Sequence, residues 1–317
     1  MDRKYLPVVA IACLMVIVQI GAVAIVNLYP QEYQAFGEDT DDPLNPLIYV
    51  GFIIIFTGIM LAVMKYTKGD FIQYAILGVV GLTIFYVFYP SIFYFIPYFV
   101  NIRGFSLDIP MTISVILAIS LTYTLYKFPE WYVVDGIGIV MGAGIAGIFG
   151  MSFGILPVFV LLIVLAIYDF ISVYKTKHMV SLASGVMKMK LPVVLVIPKK
   201  LNYSFYQKEG IMQEIDKEKK REAVFIGLGD LIIPGILAVA ASYHLPSMMV
   251  WGLYAPVLVA IGCILGSVVG VLVLMRFVLK GNPQAGLPLL NSGAIIGYVV
   301  SYLIVYQELT LGMSFVW

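Results

Sequence analysis

Nine stretches of about 20 apolar residues, divided by short polar breaks, leave this chain few ways to fold. They lie near 6–28, 46–64, 71–89, 110–127, 132–153, 155–174, 222–242, 249–279 and 286–306. Each is long enough for one helix to cross a hydrocarbon layer roughly 30 Å thick, where backbone N–H and C=O groups must find partners within the protein. The expectation is an all-α polytopic membrane protein with nine transmembrane helices. Composition agrees, with 62% of the 317 residues hydrophobic and 12% charged, where a soluble domain is about 45–50% apolar. A net charge of +1 provides no basic face for nucleic acid, so membrane lipid is the expected surrounding and nucleic acid is not a partner. Cys13 and Cys263 both lie in apolar runs, which speaks against a disulfide framework or a cysteine metal site. The first run is too long for a cleaved signal peptide and lacks an A-x-A exit, so it reads as a retained span.

Lys and Arg set the sidedness, because cytoplasmic loops carry their excess. Arg3, Lys4, Lys65, Lys68, Lys127, the cluster from Lys175 to Arg221, Arg276 and Lys280 all fall on one side of a nine-span threading. Arg103 falls on the other, which also carries Glu32, Glu38, Asp39, Asp41 and Asp42. The N-terminus and the segment 175–221 are therefore expected in the cytoplasm and the C-terminus outside. The chain divides into a six-span region 1–174, the cytoplasmic loop 175–221 and a three-span region 222–317. Within the loop, "LPVVLVIP" at 191–198 is too short to span and too rich in β-branched residues for a helix, so it reads as a short β segment.

Few ionisable groups lie within the spans, and each needs a reason, since a carboxylate in hydrocarbon costs several kcal/mol by most estimates. Asp135 stands near the start of span five, where a negative charge suits a helix N-terminus. Asp169 lies six residues before Lys175 and Asp230 nine residues after Arg221, on consecutive antiparallel spans, so the two acids share a depth. Two adjacent carboxyls cannot both ionise cheaply. One protonated and one charged, they equip a site for acid–base catalysis around a water; midplane acids also carry protons or cations in transporters and channels. A small-residue packing face with an Asp paired to a hydroxyl is the plain structural alternative.

Three motifs go further. Tyr168-Asp169 in the sixth span, Gly227-Leu228-Gly229-Asp230 in the seventh and Pro288-Leu289-Leu290 at the head of the ninth resemble the YD, GxGD and PAL motifs of the presenilin and signal-peptide-peptidase family of intramembrane aspartyl proteases, in a chain of prokaryotic presenilin-homologue type. Their order, spacing and span number cover most of the sequence. Leu289 departs from the family pattern, which has Ala there. The resemblance implies a nine-helix fold, no metal or other cofactor, and hydrolysis of peptide bonds within transmembrane segments of single-span proteins or signal peptides. It implies Asp169 and Asp230 as the catalytic pair and Tyr168 as support for the first. Gly227, Leu228, Gly229, Pro288, Leu289 and Leu290 would shape the substrate groove. Presenilin works within a complex and is cut in its inner loop, whereas signal peptide peptidase needs no partner; the short loop here favours the stand-alone mode. "YDFISVYKTKHMVSLA" and "GLGDLIIPG" resemble the signal-peptide-peptidase branch, while the sidedness resembles presenilin. Helical substrate must unwind before it can be cut, and Val193, Val194, Leu195, Val196 and Ile197 are placed to offer a strand edge to the freed backbone.

Other features have simpler readings. "GMSFG" at 150–154 fits the G-x-S-x-G nucleophile elbow, but no strand-to-helix turn or His partner accompanies it. Gly138, Gly142, Gly144, Gly147, Gly150 and Gly154 read as a close helix-packing face. His178 and His244 stand alone, with no H-E-x-x-H. A transporter or channel using the paired acids, and a non-catalytic membrane chaperone, are the rival functions. The sidedness is testable with a single cysteine at Lys199 in a Cys-free background. An impermeant thiol reagent should label it in inverted vesicles and not in intact cells; labelling in intact cells reverses the topology.

Overall fold

The computed structural model describes residues 6–35, 40–66, 69–102, 105–176, 194–198, 223–278 and 284–313. Among them are nine α-helices: α1 (Leu6–Ile25), α2 (Leu44–Tyr66), α3 (Gly69–Phe95), α4 (Ile109–Lys127), α5 (Trp131–Ser152), α6 (Ile155–Ile171), α7 (Leu228–His244), α8 (Ala255–Val278) and α9 (Leu287–Tyr306). Three antiparallel two-stranded ribbons accompany them: β1 (Phe99–Ile102) with β2 (Phe105–Asp108), β3 (Val194–Pro198) with β4 (Ala223–Gly227), and β5 (Met249–Val250) with β6 (Leu253–Tyr254). The basic loop residues 177–193 and 199–222, which include Val193, lie outside the described residues.

Among the described residues seven helices are long and apolar enough to cross a membrane, whereas α7, at 17 residues, is shorter. At about 1.5 Å per residue it spans roughly 25 Å, less than the hydrocarbon layer. The shortfall explains where the seventh expected span differs from the structure. Residues 223–227 are strand β4 rather than the first turns of a helix from 222, and Asp230 therefore sits in the first turn of α7. Extended backbone at membrane depth is tolerated when it is buried in protein. Here the β3–β4 ribbon is held between two cores: Leu195, Ile197 and Ile226 join the large one, Val196 and Ala223 the smaller one around Leu77, Val80, Ile84 and Met141. Burial on both faces accounts for the unbroken apolar run, since an alternating strand would bury polar side chains. Two other boundaries move. Helix α3 continues through Pro90 to Phe95, and the eighth span starts at Ala255, behind a short hairpin.

The large core draws on both the first and third sequence regions; Ile11, Val158, Leu237 and Val271 all belong to it. Helix α7 is its axis, packed by α1, α5, α6, α8 and α9. A helix surrounded on all sides needs short side chains, and Ala238, Val239, Ala240 and Ala241 are fully buried. Glycines on α5 meet the same demand: a Cβ on Gly142 would lie 3.2 Å from Leu228 Cδ1 and 3.4 Å from Val18 Cγ1. The closest helix pair is α8 with α9. Gly262, Gly266 and Gly270 face Gly293, Gly297 and the Leu289 carbonyl across it; a Cβ on Gly270 would fall 2.6 Å from the Leu289 main-chain oxygen. Backbone thus touches backbone along two helical faces.

Candidate active site

Asp169 occupies the last turn of α6 and Asp230 the first turn of α7, at corresponding ends of the two helices. The first is buried and the second half-buried. Both reach the same dipeptide, Gly286–Leu287, at the start of α9. The Leu287 N–H donates to Asp169 Oδ2 at 3.1 Å. A Cβ on Gly286 would lie 3.2 Å from Asp230 Oδ2 and 3.5 Å from Oδ1, so the carboxyl rests directly on that glycine. Gly227 flanks it from the other side, its would-be Cβ 3.5 Å from Asp230 Oδ2. Three helices, one from the first sequence region and two from the third, thus bring two carboxyls to one point.

Helix α9 supplies that point because a helix start has spare donors. Its first four N–H groups have no partner within the helix, and in lipid each would be costly if left free. Leu287 donates to Asp169, Pro288 has no N–H, Leu289 donates to the Gly286 carbonyl at 3.2 Å, and Leu290 makes the first regular helical bond, to the same carbonyl at 3.2 Å. The first three helical positions are thus accounted for, and the proline stands where its missing donor costs least. Leu290 is fully buried, while Pro288 and Leu289 are half-buried. Beyond Asp169, α6 passes into a π-helical turn, Ser172–Thr176, and the Ser172 hydroxyl donates to the Asp169 main-chain carbonyl at 3.0 Å. Such turns recur at functional sites.

Other sequence-derived residues fall as follows. Tyr168 is half-buried beside Asp169 on α6, and Leu228 is buried. Gly229 is exposed, and a Cβ there would meet nothing nearer than Ile233 Cδ1 at 4.0 Å, so no backbone approaches it. Val194, Leu195, Val196 and Ile197 form β3, which pairs residue for residue with Gly227, Ile226, Phe225 and Val224. Ser152, of the G-x-S-x-G stretch, donates to the Ile148 carbonyl at 2.6 Å and accepts from the Ala35 N–H at 2.8 Å, a tie between α5 and the loop after α1.

Asp135 does more than its place near a helix start suggests. It is buried, and its Oδ1 accepts the Val196 N–H at 2.8 Å, across 61 residues of sequence. That bond fixes which backbone groups of the ribbon point outward. In an antiparallel pair, successive residues point their backbone groups alternately toward and away from the partner strand. Since Val196 N–H points away from β4 and into α5, β3 is engaged along both edges, and its opposite residue Phe225 turns its own N–H and C=O to the outer edge of β4. The local stretch "WYVVDG" carries no sign of this partner.

The family model for signal-peptide peptidase and presenilin aspartyl proteases matches residues 12–306. The chain belongs to that family. Two solved structures of a presenilin-family intramembrane aspartate protease are similar to it, each 33% identical. The one in space group C222 has a TM-score of 0.67 and covers 94% of this chain and 100% of its own; the one in P2 has a TM-score of 0.66 and covers 95% and 99%. No curated protein matches the chain. This family member is an integral, multi-pass membrane protein and an aspartic endopeptidase of the intramembrane-cleaving type, which sets aside the transporter, channel and chaperone readings.

The Asp135–Val196 bond predicts a selective effect on stability. Asp135→Leu leaves a buried N–H without an acceptor and should lower stability by about 1–3 kcal/mol. Asp135→Asn keeps Oδ1 and should stay close to the parent. Thermal unfolding in detergent checks both; a leucine variant as stable as the parent contradicts the assignment.

Proposed function

We propose that this protease hydrolyses peptide bonds within the transmembrane segments of single-span proteins or signal peptides, with Asp169 and Asp230 sharing the work around one water. The observation that carries the proposal is the meeting of both carboxyls on Gly286–Leu287. A donor fixed on Asp169 Oδ2 orients that carboxyl toward the water. One carboxylate takes a proton from the water as it attacks the scissile carbonyl, and the protonated partner hydrogen-bonds the carbonyl oxygen and then supplies the proton the leaving amine needs. Tyr168 would border the first acid, and Gly227, Leu228 and Gly229 with Pro288, Leu289 and Leu290 would form the walls beside the two acids. A leucine at 289 narrows the wall relative to an alanine, and so bears on substrate fit.

Substrate backbone freed by unwinding needs new partners, since each unpaired group in hydrocarbon costs several kcal/mol. The reading from sequence gave that task to 193–197. Val193 lies outside the described residues, and β3 is already paired with β4 and bound at Val196 by Asp135. We therefore assign it to the outer edge of β4, at Ala223, Phe225 and Gly227, which runs straight into the turn bearing Asp230. Residues 194–197 then act by holding β4 in place. The same reading has the N-terminus and the loop 175–221 in the cytoplasm, the C-terminus outside, and the enzyme working without partner subunits.

One panel tests this proposal, using purified protein and a single-span peptide with products read by mass spectrometry. Asp169→Asn and Asp230→Asn should each abolish cleavage while thermal unfolding stays near the parent's. Phe225→Pro removes an outward N–H without touching a β3–β4 hydrogen bond, and should cut turnover about tenfold or more, whereas Phe225→Ala, which keeps the N–H and loses the ring's packing against the smaller core, should stay nearer the parent. Retained cleavage in either Asp variant ends the dyad, and normal turnover in Phe225→Pro ends pairing at β4.

A further inference from the structure

The start of α9 must stand at the right height against α6 for the Leu287 N–H to meet Asp169. Against α8 a glycine face brings backbone to backbone, and the Ser301 hydroxyl, near the far end of α9, lies 3.4 Å from the Val259 carbonyl. That contact relates α9 to α8 and leaves its height against α6 to other ties. Against α6 and the turn that follows it, Phe159 meets Tyr298 edge to face with ring centroids 5.3 Å apart, well beyond the start of α9, and among the described residues hydrogen bonds tie the two at three places. Tyr174 O–H donates to Gln284 Oε1 at 2.7 Å at an exposed position, where a hydrogen bond competes with water. Leu287 N–H to Asp169 is the contact to be positioned. The third is Asn291, one turn into α9 and only 1% exposed, whose Nδ2 donates to the Leu162 carbonyl at 2.8 Å. Leu162 is itself fully buried on α6, two turns before Asp169.

Packing does not account for an amide at this place. Asn291 Oδ1 has no hydrogen-bond partner among the described residues and is buried, a cost that a leucine of similar size would avoid. Its neighbour Ser292 answers its own needs within α9, its hydroxyl donating to the Pro288 carbonyl at 2.6 Å. Asn291 instead reaches across. A carbonyl has two lone pairs, so Leu162 can accept this bond and still serve its own helix. Buried polar side chains that cost stability yet fix register are known from helical assemblies.

We propose that Asn291 is a positioning residue, holding α9 in axial register with α6 so that the Leu287 N–H is presented to Asp169. Asn291 acts through the backbone it bonds and takes no part in the bond-making steps. The inference rests on the reading of Asp169 as a catalytic acid. Removing the amide lets α9 slip by about an ångström or less, a displacement small against the walls at Pro288–Leu290 and without effect on the β4 edge, but enough to spoil the geometry of the attack. The loss should therefore fall on kcat and spare KM.

The test uses the full chain, a single-span peptide and the variants Asn291→Leu, Asn291→Asp, Ser292→Ala and Asp169→Asn, with kcat, KM and thermal unfolding measured for each. Asn291→Leu should lower kcat about tenfold or more with KM within about twofold of the parent, and Ser292→Ala should change neither. Asn291→Asp can donate to Leu162 only while its carboxyl is protonated, so at the acid end of the pH range it should turn over faster than Asn291→Leu by about fivefold or more. The ratio of the two variants at one pH cancels the titration of the dyad. Parent-like kcat in Asn291→Leu, or equal kcat in the Leu and Asp variants at every pH, overturns the inference; should Asn291→Leu fail to fold, the Asp variant decides by whether its kcat relative to the parent is highest at the acid end. Cleavage surviving in Asp169→Asn removes the underlying reading, whereas its loss there beside a parent-like Asn291→Leu removes the register role alone.

Discussion

An acid inside a helical bundle keeps a fixed orientation only if the bundle itself provides a donor, and here one hydrogen bond, from the Leu287 N–H to Asp169, is that provision. It ties the end of α6 to the start of α9 and draws Gly286 against Asp230. Much of the surrounding architecture follows from it. The helix start must be free of its own partners at Leu287, which Pro288 and the Gly286 carbonyl arrange. The helix must also lie close to α8, and the facing glycines of α8 and α9 allow it.

The second acid depends on a different device. Helix α7 is too short to cross the layer alone, and the strand before it completes the passage. Ending a helix early would expose backbone to lipid, but β4 is paired with β3, and β3 is bound in turn by Asp135 of α5. The result is a sheet edge that leads directly to Asp230. In this account Asp135 holds β3 against α5, so that the outer edge of β4 is the side proposed to receive substrate.

Sequence made the helices and the two acids conspicuous because charge is rare in apolar runs, and Asp169 and Asp230 needed no partner to be noticed. The motif at 288–290 was legible by resemblance, though its accounting of helix-start donors was not. What failed to show were relations between distant segments. "AVFIGLGD" continues an apolar run without a break, so β4 read as helix; only its pairing with β3 makes it a strand. Asp135 looked like a helix-start charge because Val196 is remote in sequence. The α8–α9 contact, by contrast, is written in the spacing of Gly262, Gly266 and Gly270 and of Gly293 and Gly297, a small-xxx-small signal carried by the amino-acid sequence itself. The denser glycines of span five masked it.

The central claim is that Asp169 and Asp230 act as one unit with a single shared proton. Infrared difference spectroscopy of the detergent-solubilised protein across a pH titration reads protonated carboxyl groups directly, with the Asp169→Asn and Asp230→Asn variants assigning the signal. The account predicts one protonated carboxyl in the Asp169–Asp230 pair over the pH range in which the enzyme is active, and a changed titration of the remaining acid in either variant. Two carboxyls that titrate independently, each unaffected by replacement of the other, would contradict it.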